Sequence, residues 1–140
     1  MKKTVSVIGS GTMGSGIAQI AASHGCHTIV YDINEDSLTK SKASLEKILN
    51  RLIEKGRIDE QIKGLIQQHI TYTSDLNAIK DSDLVIEAIV ENFEIKKSLF
   101  TKVEALVSDD CIIASNTSSL SITSLAATLK KPNRFIGIHF

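Results

Sequence analysis

The chain has 140 residues, 42% of them hydrophobic and 23% charged, and its sixteen basic and sixteen acidic residues cancel. That is the size and make-up of one ordinary globular domain with a real core. The balance excludes the basic footprint of a nucleic-acid binder or a membrane-surface protein, and no apolar stretch is long enough to cross a bilayer. Two lysines follow Met1, but a glycine turn arrives too soon for a signal-peptide apolar region, so a cytoplasmic location is expected. Cys26 and Cys111 stand far apart, each at the start of an apolar run, and are expected to be buried free thiols. The four histidines and two cysteines have no zinc-type spacing, and no metal site is expected.

Val5, Val7 and Ile8 form a first strand that stops at Gly9. A helical pattern follows, with Met13, Ile17, Ile20 and Ala21 on one side, closing at Gly25. Ile29, Val30 and Tyr31 make a second strand ending at Asp32. Leu38, Leu45, Ile48, Leu49, Leu52 and Ile53 then recur at helical steps until Lys55-Gly56 breaks the pattern. Asp59 can cap a second helix carrying Ile62, Leu65 and Ile66. Residues 70–74 read as a third strand, and Asp75 starts a helical turn through Leu76 and Ile79. Residues 83–89 read as a fourth strand, 92–107 as a helix, 111–115 as a fifth strand, 119–128 as a short helix and 134–140 as a sixth strand. Strands alternating with helices predict an α/β fold, a doubly wound parallel sheet, with a long helical pair at 35–68 inserted after the second strand.

Gly9-x-Gly11-x-x-Gly14 lies between the first strand and the first helix, where a dinucleotide-binding turn needs it. Gly9 permits the tight turn, Gly11 leaves room for a pyrophosphate, and Gly14 lets the helix pack close. The helix N-terminus offers N–H groups and partial positive charge to the phosphates. Asp32, at the end of the second strand, suits the adenosine ribose hydroxyls and would repel a 2′-phosphate. No arginine occurs between Asp32 and Arg51, so NAD is expected rather than NADP.

Four stretches in order, "GSGTMGSGIAQIAA" at 9–22, "VIEAIVENFEIKKSLF" at 85–100, "ASNTSSLSIT" at 114–123 and "RFIGIHF" at 134–140, resemble the 3-hydroxyacyl-CoA dehydrogenase family. The likeness is greatest to its bacterial short-chain members, the 3-hydroxybutyryl-CoA dehydrogenases. The resemblance implies NAD-dependent oxidation of a 3-hydroxyacyl-CoA thioester to the 3-ketoacyl-CoA, and the reverse. Family members continue past the sixth strand into a mostly helical domain that carries the dimer contacts and closes over the substrate. Residues 1–140 are therefore expected to be the cofactor domain alone, cut within its sixth strand, of a homo-oligomeric protein.

The resemblance also implies roles. His139 matches the catalytic base, for which an imidazole with an unperturbed pKa of about 6.5 is suited. Its orienting glutamate and a second-domain asparagine fall beyond residue 140. Ser118 matches the serine that hydrogen-bonds the substrate oxygen beside the nicotinamide; Ser119 or Thr117 is then expected to cap the following helix. Thr12 and Met13 belong to the phosphate turn. Glu91 and Lys96 match positions at the nicotinamide ribose, although a solvated helix pair would read the same way. Ala88 is where backbone can approach the cofactor, and Glu87 reads as structural. The helical pair reaches toward coenzyme A in the family, making Lys55 a candidate for its phosphates; the ungapped register places Ile48 where the family often has a hydroxyl. Two other functions fit parts of the pattern: a dehydrogenase of free hydroxyacids, and a non-catalytic, crystallin-like NAD-binding protein.

Overall fold

The computed structural model describes residues 3–117 and 120–138. Six parallel strands lie in the order β3-β2-β1-β4-β5-β6. They are β1 Thr4–Ile8, β2 His27–Tyr31, β3 Ile70–Thr73, β4 Leu84–Glu87, β5 Ile112–Ser115 and β6 Phe135–Gly137. Between them run α1 Thr12–Ser23, α2 Glu35–Glu54, α3 Glu60–His69, α4 Phe93–Leu106 and α5 Ile122–Ala126, with short 3-10 turns at Leu76–Ile79 and Pro132–Arg134. The strand order reverses between β1 and β4. That is the switch point at which doubly wound sheets bind ligands beyond the carboxyl ends of their strands.

Each face of the sheet carries its own core. Val7, Val30 and Ile86 pack with Ile17, Ala18, Leu45 and Leu49 on the side of α1, α2 and α3. Ile8, Val85 and Ile113 pack with Phe100, Val103 and Leu125 on the side of α4 and α5, where the Phe100 and Phe135 rings meet edge to face at 4.9 Å. The continuous apolar runs of the central strands follow from this double covering.

Local chemistry sets the helix ends. Asn34 caps α2 by accepting from Ser37 N–H at 3.1 Å, and Gly56, at φ +71°, lets the chain leave it. Asp59 caps α3 by accepting from Ile62 N–H at 2.8 Å, as expected. α5 differs: its cap is Ser121, which accepts from Ser124 N–H at 3.1 Å, and the helix is shorter than the expected 119–128. Thr117 Oγ1 closes the turn just before it, accepting from Leu120 N–H at 3.1 Å while donating to Glu91.

α1 is also rotated relative to the apolar face read from sequence. Gly14, Ile17, Ala18 and Ala22 face the sheet, while Met13 and Ile20 are 46% and 50% exposed. Closeness decides this. The small residues spaced four apart let the helix axis approach the strands, which a Met/Ile face would hold off. Of the two free thiols only Cys111 is buried, and burial pushes its pKa up to about 11, keeping it an unreactive thiol; Cys26 is half-buried, contrary to expectation.

Candidate cofactor site

The glycine turn is built by three different needs. Gly9 has φ +109°, and a Cβ there would lie 2.5 Å from the Ala88 carbonyl oxygen. A Cβ on Gly14 would lie 1.9 Å from the Gly9 carbonyl oxygen, so helix and turn touch through bare backbone. A Cβ on Gly11 would meet nothing within 4 Å. Gly11 therefore borders open space, and as N-cap of α1 it leaves the first-turn N–H groups without a side-chain cap. Those donors, the helix dipole and the room above Gly11 fit a pyrophosphate.

Asp32 is held rather than loose. Its Oδ2 accepts from Ser10 N–H at 3.0 Å and from Ser10 Oγ–H at 2.8 Å, and its Oδ1 accepts from Asn34 N–H at 2.9 Å. An ionised carboxylate has about four acceptor positions, so Oδ1 keeps capacity for a ribose hydroxyl. Ser10 itself is tied down. Ser15 Oγ donates to the Ser10 carbonyl at 3.0 Å and lies 2.7 Å from Ser41 Oγ, and Ser41 in turn bonds the Tyr72 phenol, whose pKa burial raises. This run of hydroxyls fastens the glycine turn to α2 and β3.

A cleft of about 740 Å³ opens at the carboxyl ends of β1, β2 and β4. It gathers Gly9, Gly11, Asp32 and Ala88 from the expected cofactor residues. It also has lining that sequence reasoning missed: Ile33, Leu76, Val90, Ile95 and Lys102. Ile33 and Val90 are 83% and 65% exposed. Each follows closely on a strand end with no core left to fill, and that is the one signal by which the sequence could have flagged them. An apolar wall opposite Asp32 fits the flat face of an adenine.

On the other side of the β4 end lies an ion-pair network. Glu87, fully buried, accepts from Ser115 Oγ–H at 2.5 Å, from Ile89 N–H at 2.7 Å and from Lys96 Nζ at 2.6 Å. Lys96 Nζ lies 3.0 Å from Glu91 Oε1, and Glu91 Oε2 accepts from Thr117 Oγ1–H at 2.5 Å. Glu91 and Lys96 are thus not a solvated helix pair, since the Lys96 side chain is 1% exposed.

Thr12 and Met13 open α1 beside the phosphate turn. Lys55 is exposed at the far end of α2, about 30 Å along a twenty-residue helix from its start, and does not line the cleft. Ser118 and His139 lie outside the described residues. Their neighbours are described: Ile138 N–H donates to the Ser115 carbonyl at 3.0 Å, joining the chain just before His139 to the strand that leads to Ser118. His24, His27 and His69 are at helix or strand ends away from this edge. Among the described residues no cluster could hold a metal, and no helix is long and apolar enough to cross a membrane.

The family model for the NAD binding domain of 3-hydroxyacyl-CoA dehydrogenase matches residues 4–140. The chain belongs to this family. Its cofactor is NAD, which the open glycine turn and the held aspartate fit. A 3-hydroxybutyryl-CoA dehydrogenase of Clostridioides difficile is 43% identical over 136 residues, covering 97% of this chain and 48% of the relative. A 3-hydroxyadipyl-CoA dehydrogenase of Escherichia coli is 40% identical over 138 residues, 99% of this chain and 29% of the relative. The crystal structure of (S)-3-hydroxybutyryl-CoA dehydrogenase from Ralstonia eutropha superposes with a TM-score of 0.96 at 39% identity, over all of this chain and 50% of that one. The chain thus spans about half the length of the shorter relatives it matches.

Proposed function

We propose that this chain is the cofactor half of an NAD-dependent dehydrogenase that interconverts short-chain (S)-3-hydroxyacyl-CoA and 3-ketoacyl-CoA thioesters. The observation that carries the reading is the open space over Gly11 at the uncapped end of α1, with Asp32 fixed across the same cleft. Bound NAD accepts or returns the hydride. Gly11, Thr12 and Met13 hold its phosphates on a turn that Gly9 and Gly14 shape, and Asp32 holds its adenosine ribose. Ala88 gives backbone room, and Glu91, held by the buried Lys96, serves the nicotinamide ribose. Ser118 hydrogen-bonds the substrate oxygen, which a hydroxyl can do for alcohol or ketone alike. His139 takes the hydroxyl proton in one direction and returns it in the other. Lys55 is the candidate for coenzyme A phosphates. A helical second domain covers the substrate and carries the contacts of a cytoplasmic homo-oligomer.

Two measurements test this. In calorimetry the chain is expected to bind NADH more tightly than NADPH, and Asp32→Ala to lose about 1–3 kcal/mol of NADH affinity with its charge-assisted hydrogen bond. Equal affinity for the two cofactors would count against the role of Asp32. Second, the 140-residue chain is expected to bind NADH yet barely reduce acetoacetyl-CoA, because positioning of substrate and base comes largely from the second domain. In the whole protein His139→Ala is expected to cut turnover by about 10²–10⁴-fold with NADH affinity little changed. Normal turnover by that variant would remove His139 as the base, and preference for the free acid over the thioester would remove the acyl-CoA assignment.

A further inference from the structure

A carboxylate with no exposed surface needs a reason. Glu87 is the last residue of β4, pairs in register with Ile8 of β1 and Ser115 of β5, and lies next to Ala88, against which Gly9 packs. Its donors come from three segments: Ser115 from β5, Ile89 from the loop after β4, and Lys96 from the first turn of α4. Burying an ion pair in this way does not favour stability over apolar side chains of similar volume. What it does is fix geometry, since each donor has one position from which it can reach the carboxylate.

The burial along the network has a direction. Glu87 and Lys96 are 0% and 1% exposed, whereas the Glu91 side chain is 38% exposed. Of the three, only Glu91 can meet a ligand at the sheet edge. Lys96 Nζ bridges Glu87 Oε2 at 2.6 Å and Glu91 Oε1 at 3.0 Å, and Thr117 Oγ1–H fixes the other Glu91 oxygen at 2.5 Å.

We propose that Glu87 is a positioning residue for the nicotinamide half of the cofactor, acting through Lys96 to orient the Glu91 carboxylate. The inference rests on the reading of this edge as the NAD site. Through Ser115, Glu87 also sets the start of the loop that carries Thr117. One buried carboxylate thus aligns both segments that flank the nicotinamide ribose. At the adenosine end, Asp32 is held by Ser10 rather than by this network, and Glu87 touches the cleft wall through the backbone N–H of Ile89.

This separation defines the experiment. NADH and ADP are titrated against the unaltered chain, Glu87→Gln and Glu87→Asp, with melting curves recorded for each. ADP probes the glycine turn and Asp32, and NADH probes both halves. Glu87→Gln keeps the side-chain shape but removes the charge: its carbonyl can still accept from Ile89 N–H and Lys96 while its amide donates to Ser115 Oγ, so Lys96 loses its buried ionised partner. It is expected to weaken NADH about tenfold or more while leaving ADP within about twofold, as for one lost charge-assisted contact. Glu87→Asp keeps the buried charge opposite Lys96 but withdraws it by one methylene. It is expected to fold and to show a smaller loss of the same kind, so it decides the matter if Glu87→Gln does not fold. Equal losses of NADH and ADP, or an unchanged NADH affinity, would reduce Glu87 to a structural group. Failure of the unaltered chain to bind NADH would instead remove the site reading, and this inference with it.

Discussion

Gly14→Ala is expected to destabilise the fold by about 2–3 kcal/mol, whereas Gly11→Val leaves it folded and removes NADH binding. The two glycines are three residues apart and differ in what surrounds them. A Cβ on Gly14 would sit 1.9 Å from the Gly9 carbonyl oxygen, an atom that cannot swing aside. Gly9 is itself fixed, by a 2.8 Å hydrogen bond from its N–H to the Tyr31 carbonyl and by contact with Ala88. The start of α1 must therefore move outward and lose packing against Val7. Alanine regains about 1 kcal/mol of helix propensity over glycine, which is too little to offset this overpacking. A Cβ on Gly11 meets nothing, and its φ of −68° and ψ of −171° suit any residue. Valine there fills the space over the α1 N-terminus without touching the protein. Thermal melts and NADH fluorescence titrations of the two variants check both halves. A Gly14→Ala melting curve matching the unaltered chain would show that the turn has slack, and normal NADH binding by Gly11→Val would show that the phosphates lie elsewhere.

The residues that read correctly from sequence are those whose role is fixed by near neighbours. Val85-Ile86 and Ile113-Ala114 are apolar on both faces because helices cover both, and that survives in the one-dimensional pattern. The glycine turn and Asp32 are legible for a similar reason, since turn, helix start and strand end are adjacent in the chain. The far wall of the cleft is not. Leu76, Ile95 and Lys102 come from a 3-10 turn and a helix that only the fold brings opposite Asp32. The α5 cap was hidden among "NTSSLS", where several hydroxyls could serve. Two of them do: Thr117 accepts from Leu120 N–H in the turn before the helix, and Ser121 caps α5 itself. Ile112, the first residue of β5, is 44% exposed, which its place in an apolar run did not show. Glu87 read as structural, and its full burial agrees, but nothing in "LVIEAI" shows that a lysine nine residues on will be buried against it.

That lysine carries the second large effect. Lys96→Met is expected to cost about 3–5 kcal/mol, the penalty for leaving a buried charge without its partner. Lys96 is the one cation that Glu87 reaches among the described residues, at 2.6 Å, and neither side chain is more than 1% exposed. The remaining donors to Glu87, Ser115 Oγ–H and Ile89 N–H, are neutral and cannot replace an ammonium. The reverse change is milder. Glu87→Gln leaves Lys96 its contact with Glu91 at 3.0 Å, and a loss of about 1–2 kcal/mol is expected. In the double variant Lys96→Met/Glu87→Gln no charge is stranded. The carbonyl of the introduced glutamine accepts from Ile89 N–H and its amide donates to Ser115 Oγ, so the double variant is expected to be more stable than Lys96→Met alone. For a domain in the upper part of the usual range of about 5–15 kcal/mol, all three variants stay folded enough for urea denaturation. The four unfolding curves form a cycle whose coupling term measures the pair free of unrelated effects. If Lys96→Met costs under about 1 kcal/mol, or the second substitution recovers nothing, the two groups are not energetically coupled, and the ordering of the sheet edge has another source.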